Sequence, residues 1–120
     1  MTNSNYPEGK TTVAAEVLLT IARLTTLAVP GVSRLCPPPS GNMKRLLKQG
    51  YAHEGVVIDV IDDIVHLDLY VVLKNNINVR EVSRNIQVEV TRAILEMVGM
   101  QVGHVNIHIE DIDYPEDTEA

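Results

Sequence analysis

The chain has no Trp and no Phe, and its only large aromatic side chains are four Tyr. Its core must therefore be aliphatic. Hydrophobic residues make up 45% of the sequence, most of them Val, Ile and Leu. Stacking of nucleobases on aromatic platforms has little to work with. There is one cysteine, Cys36, which excludes an intramolecular disulfide and fits a reducing compartment. Charge-free apolar runs are short, because Glu16, Arg23 and Asp59 interrupt the most apolar segments, so no transmembrane helix is expected. Met1 to Lys10 is polar and does not read as a secretory signal. No Walker loop, no G-x-G-x-x-G and no Ser-His-Asp order is present. The sequence therefore predicts a non-enzyme, with no catalytic residues.

Charge is divided unequally along the chain. Residues 1–50 carry +4 and residues 51–120 carry −10, for a net charge of −6. Eleven residues from Glu110 onward hold six acids and no base. A net acidic chain is a poor general binder of phosphate backbones. Arg34 to Lys48 nevertheless carries four positive charges and no negative one. That segment can meet an anionic surface or the acidic tail of another copy, in a contact that salt should weaken.

A length of 120 residues favours one domain, large enough to bury a core. Residues 1–10 read as a disordered lead-in, 11–112 as a single domain and 113–120 as an acidic flexible tail. Val13, Val17, Leu18, Ile21, Leu24 and Ala28 have helical spacing, with Thr11 or Thr12 available to cap the start and Pro30-Gly31 to end it. A short strand is expected at Val32 to Leu35. Residues 37–50 read as a connector, opened by Pro37-Pro38-Pro39, with room for one helical turn over Met43 to Lys48. Val56 to Ile61 and Ile64 to Leu73 are β-rich runs separated by Asp62-Asp63, as in a hairpin. Along the second run Val65, Leu67, Leu69, Val71 and Leu73 alternate with His66, Asp68, Tyr70 and Val72, which predicts one buried and one wetter face.

The clearest element follows. Asn78 is a good N-cap, Glu81 sits three residues later, and Ile77 and Val82 have hydrophobic-staple spacing. Val79, Val82, Ile86, Val90, Ala93, Ile94 and Met97 form an apolar stripe, and Gly99 suits the C-terminal cap. A strand from Val102 to Ile112 then turns Val105, Ile107 and Ile109 inward and His104, Asn106, His108 and Glu110 outward. The fold class is α+β: a two-layer domain of order α-β-β-β-α-β. Its small mixed sheet has three to four strands, with two helices packed on one face. The hairpin's second strand, the capped helix and the last strand can form a crossover.

These residues carry a resemblance. The EV-x3-IQ-x2-V helix (Glu81, Val82, Ile86, Gln87, Val90), its EM-x-G ending (Glu96, Met97, Gly99) and the VNIHI strand (Val105 to Ile109) stand in the order seen in the alkaline shock protein family. These are envelope stress response proteins found widely in Gram-positive bacteria. The helix ending in VPGVSRL, with its Gly31-Val32 exit, and the hairpin over Gly55 to Leu73 resemble earlier parts of the family. The likeness spans about residues 11–112. Family members usually have a glycine-rich connector where this chain has Cys36-Pro37-Pro38-Pro39. The resemblance implies a cytoplasmic protein, peripheral at the inner face of the membrane in some members. It implies no enzymatic activity and no cofactor. It also implies self-association and recruitment by a membrane-anchored partner.

Three groups of residues are weighed as sites. His66, Asp68, His104 and His108 would share one sheet face if their strands are in one sheet. His104 and His108 lie four apart, roughly 13 Å between Cα atoms on a strand, too far to share an ion held at about 2.0–2.1 Å. His66 and Asp68 lack a third ligand within their own strand. A solvated face is the ordinary reading, and no metal is expected. Cys36 has no neighbouring His in sequence and reads as an unreactive thiol. Val88 and Leu95 fall opposite the core stripe of the capped helix, one heptad apart, and are the expected contact surface for another copy or a partner helix. The basic residues Arg34, Lys44, Arg45 and Lys48 are a second expected contact. The rival function is a small RNA-binding module. The helix-GXXG-helix loop it would need is missing, and the net charge is acidic.

Overall fold

The structure is a computed structural model, and it describes residues 14–38 and 51–114. Lys44, Arg45, Lys48, the lead-in, the expected turn at 43–48 and the tail beyond residue 114 lie outside them. The described elements run α1 (Ala15–Ala28), β1 (Val32–Leu35), β2 (Tyr51–His53), β3 (Val56–Ile61), β4 (Ile64–Lys74), α2 (Val79–Val98) and β5 (Gln101–Asp113). This is the α+β arrangement expected from the sequence, with five strands among the described residues rather than three or four. The added strand is β2, three residues that pair with the start of β3.

Strand β4 is the spine of the sheet. Its eleven residues pair along their whole length with β5, in parallel. The opposite edge is shared by two strands. Antiparallel β3 covers Ile64 to Leu69, and antiparallel β1 covers Val71 to Leu73. The two meet at Tyr70. Its amide N–H donates to the Gly55 carbonyl at 2.8 Å, and its carbonyl accepts from the Cys36 amide at 2.9 Å. Gly55 has φ +89°, and a Cβ there would sit 2.5 Å from the Cys36 carbonyl oxygen. Only glycine fits both constraints.

The β3–β4 hairpin turns on Asp62 and Asp63 at φ 53° and 66°. Both residues are left-handed, as a two-residue type I′ turn requires, and the short Asp side chain tolerates that region. The turn sets the register Ile61↔Ile64 through Val56↔Leu69. Val56, Ile58, Val65, Leu67, Leu69, Val71 and Leu73 therefore share one face, and all are fully buried.

Helix α2 lies over that face. The Asn78 side chain accepts from the Glu81 amide at 3.1 Å, and the helix ends at Gly99 in a left-handed conformation. Val82, Ile86, Val90 and Ile94 are buried at a four-residue repeat, the inward stripe of an amphipathic helix. Full burial of each of these side chains stabilises the fold by about 1.5–3 kcal/mol. Val79 and Met97, at the ends of the expected stripe, are exposed. The polypeptide then enters β5, so β4, α2 and β5 form a parallel crossover.

Helix α1 corrects the sequence reading. Its buried residues are Leu18, Ala22 and Thr26, while Val17 and Leu24 from the expected stripe are exposed. The cause is composition. Among its fourteen residues only Glu16 and Arg23 are charged, so apolar periodicity does not single out one side. In β5, Val105 is buried and Ile107 partly so, whereas Ile109 is exposed rather than inward.

Candidate functional site

Two surfaces carry side chains the core does not use. The first is the outer side of the helices. On α2, Val88 is 45% and Leu95 51% exposed, as their positions opposite the buried stripe require. On α1, Leu24 is 54% exposed and Val17 and Leu27 are exposed as well. Val17 and Leu24 are one heptad apart, so they share a side of α1, away from Leu18 and Ala22. Sequence reading assigns this stripe to the core. The sign that it is a surface is the lack of a polar side on the helix: an amphipathic helix covering one sheet face normally has one.

The second surface is the sheet face away from the helices. Cross-strand register builds it row by row: Asp59 beside His66 beside His104, then Val57 beside Asp68 beside Asn106, then Tyr70 beside His108. His66 Nδ1 lies 3.0 Å from His104 Nδ1, with ring centroids 4.4 Å apart. One ring must donate and the other accept, so at least one Nδ1 is unprotonated in this arrangement. The Asp68 carboxylate accepts from His108 Nε2 at 2.9 Å and from Asn106 Nδ2 at 3.2 Å. The His108 ring stacks on Tyr70, centroids 4.4 Å apart and planes 10° from parallel. All four residues singled out on this face thus come together in two pairs. Spacing within one strand cannot show such pairing, which depends on the offset between strands.

That offset has a visible origin. The β4–β5 register runs Val65↔Val102 and then His66↔His104, so Gly103 is an extra residue in β5. Val102 and Val105 are three apart, and without the bulge they could not both face the helices. A Cβ at Gly103 would overlap the His66 Cε1 and lie 2.7 Å from its Nδ1. The glycine leaves the space that the His66 ring fills. Among the described residues, no group of three His, Cys, Asp or Glu side chains is placed to hold a metal ion.

Towards the other end of β4 this face is drier. Val57, Tyr70 and Val72 are buried. At the β1 margin, Arg34 lies 3.9 Å from the Asp113 carboxylate, and the Ser33 hydroxyl donates to the same carboxylate at 2.6 Å. Arg34, expected to meet an anionic surface or the acidic tail of another copy, thus faces an acid of its own chain. Burial pushes the Cys36 thiol up, the Glu110 carboxylate adds to this, Arg34 opposes it, and Asp111 raises it further. The shift lowers the share of reactive thiolate at a given pH.

No helix among the described residues is long and apolar enough to cross a membrane. The family model of alkaline shock protein 23, described as having a cell envelope-related function, matches residues 3–114. The uncharacterized protein YqhY of Bacillus subtilis is 29% identical over 113 residues, covering 93% of this chain and 82% of its own length. The uncharacterized protein Spy1535 of Streptococcus pyogenes serotype M6 is 31% identical over 105 residues, covering 87% of this chain and 79% of its own. Among solved structures, a variant of MamM-CTD aligns with a TM-score of 0.51 at 12% identity, over 83% of this chain and 100% of that one. At that identity the likeness concerns the fold alone. The chain belongs to the alkaline shock protein family.

Proposed function

We propose that this member of the alkaline shock protein family, a family with a cell envelope-related function, is a non-catalytic association domain. It works by joining further copies of itself, and through them a membrane-anchored partner, at the inner face of the membrane. The observation that carries the reading is the apolar outer surface of both helices, Val17, Leu24 and Leu27 on α1 and Val88 and Leu95 on α2. Single exposed apolar residues are ordinary. A helix with two charges among fourteen residues and an exposed heptad pair is a poor solvent-facing surface and a good contact surface. The basic residues Arg34, Lys44, Arg45 and Lys48 add a second, salt-sensitive contact.

The RNA-binding alternative finds less support. Tyr70, on the open sheet face, is buried and stacked on His108, and so does not offer its ring to a base.

Light scattering after size exclusion tests the proposal. The native chain should elute above its 13.3 kDa monomer mass. Leu24→Lys, or Val88→Lys combined with Leu95→Lys, should return it to the monomer with an unchanged circular dichroism spectrum. An oligomeric mass that both variants leave intact removes the helix surface as the contact.

A further inference from the structure

The His66–His104 pair has a geometry that a solvated sheet face does not require. Both rings stand on the open face, and the same atom of each, Nδ1, lies 3.0 Å from the other's. The bulge at Gly103 brings His104 beside His66, and the missing Cβ there admits the His66 ring. Bulges commonly re-aim a side chain beside a functional site.

We propose that His66 and His104 form a two-nitrogen chelate for a divalent transition-metal ion, with copper(II) preferred over nickel(II) and zinc(II). The bite supports this choice. Metal–imidazole bonds of about 2.0–2.1 Å closing over a 3.0 Å separation give an N–metal–N angle of about 91–97°. That is the angle between neighbouring positions of a square-planar or tetragonal ion, the geometry of copper(II) and nickel(II). A tetrahedral zinc site would need the two nitrogens about 3.3 Å apart. Copper(II) also stands highest in general affinity for such donors.

Binding needs no change of fold. In the hydrogen-bonded pair one Nδ1 carries a proton. On metal binding that proton moves to Nε2 of the same ring, both rings are neutral, and each turns about its Cβ–Cγ bond so that its Nδ1 lone pair meets the ion. The chain supplies two ligands, and water completes the coordination. Asp59, in the same cross-strand row on β3, flanks His66 and adds a negative charge beside the ion. His108 is not part of the chelate, because Asp68 holds its Nε2 and Tyr70 stacks on its ring.

The test is calorimetric titration of the full chain at neutral pH in a weakly coordinating buffer. Copper(II), nickel(II) and zinc(II) chlorides are each used alone, with electron paramagnetic resonance of the copper form. One copper ion per chain should bind, more tightly than nickel and nickel more tightly than zinc, with an axial spectrum showing nitrogen coupling. His66→Gln and His104→Gln should each lower copper affinity at least about tenfold. Gly103→Ala should lower it as well, although it removes no ligand, because its methyl displaces the His66 ring. His108→Gln should leave the affinity unchanged. Circular dichroism establishes that each variant is folded, and an unfolded histidine variant is replaced by the Ala substitution at the same position. Copper affinity unchanged in the His66/His104 double variant, or zinc bound more tightly than copper, overturns the proposal.

Discussion

Thr26 is completely buried in the face of α1 that covers the sheet, and its hydroxyl oxygen has no hydrogen-bond partner among the described residues. The backbone carbonyl of the same residue accepts from the Val29 amide at 3.1 Å, so the unmet group is the side-chain hydroxyl and not this carbonyl. Replacing Thr26 with Val keeps the shape and exchanges the hydroxyl for a methyl. A buried hydroxyl left without a partner costs about 1–3 kcal/mol, and a buried methyl contributes about 0.8 kcal/mol. Helix propensities of Val and Thr are close. Allowing for imperfect fit of the new methyl, Thr26→Val should stabilise the domain by ~1–2 kcal/mol. For a domain of this size that raises Tm by roughly 4–8 °C per kcal/mol. Thr26→Ser keeps the hydroxyl and deletes the methyl, so it should destabilise by about 1 kcal/mol. Urea unfolding followed by circular dichroism at a helical wavelength gives both numbers, and it suits a chain without Trp. A Val variant less stable than the native protein would mean that the hydroxyl is satisfied in solution, and the reasoning would fall.

Two further outcomes follow from local geometry. Asn78→Ala removes the acceptor of the Glu81 amide at the start of α2 and should cost about 1 kcal/mol in the same urea assay, with Asn78→Asp near neutral. Burial, Glu110 and Asp111 together outweigh Arg34 and raise the Cys36 thiol above its ordinary value. Less thiolate is therefore present at a given pH, and iodoacetamide should react more slowly with the folded protein than with a free cysteine at pH 8. Glu110→Gln should speed the reaction and Arg34→Gln should slow it; equal rates across the three would contradict the assigned causes.

The sequence shows most clearly what is local. The Asn78 cap, the middle of the α2 stripe, the inward residues of β4 and the Asp62-Asp63 turn each depend on residues within a few positions of one another, and each stands where the sequence places it; Val79 and Met97 at the stripe's ends are exposed instead, and Tyr70 and Val72, read as part of the wetter face of β4, are buried. Strand β2 is harder to see, since it follows directly on the connector and takes its partner from β3. The orientation of α1 depends on which of its several apolar sides meets the sheet, a tertiary choice with no local marker. The histidine pair depends on one extra residue in β5, read only when two strands 38 positions apart are laid side by side. Val88 and Leu95 are legible because the polar residues around them define an outer side.

The joint at Tyr70 has a consequence for how the chain may be divided. Strands β1 and β3 are held to β4 by their own separate ladders, and they meet at a single residue that serves both. The ladders that seat β1 and β3 on β4 are made by residues on either side of positions 39–50. A protease cut between Pro38 and Tyr51 would leave two pieces still joined through those ladders. The piece with α1 and β1 would remain seated as a non-covalent insert, and separately made halves should reassemble on mixing.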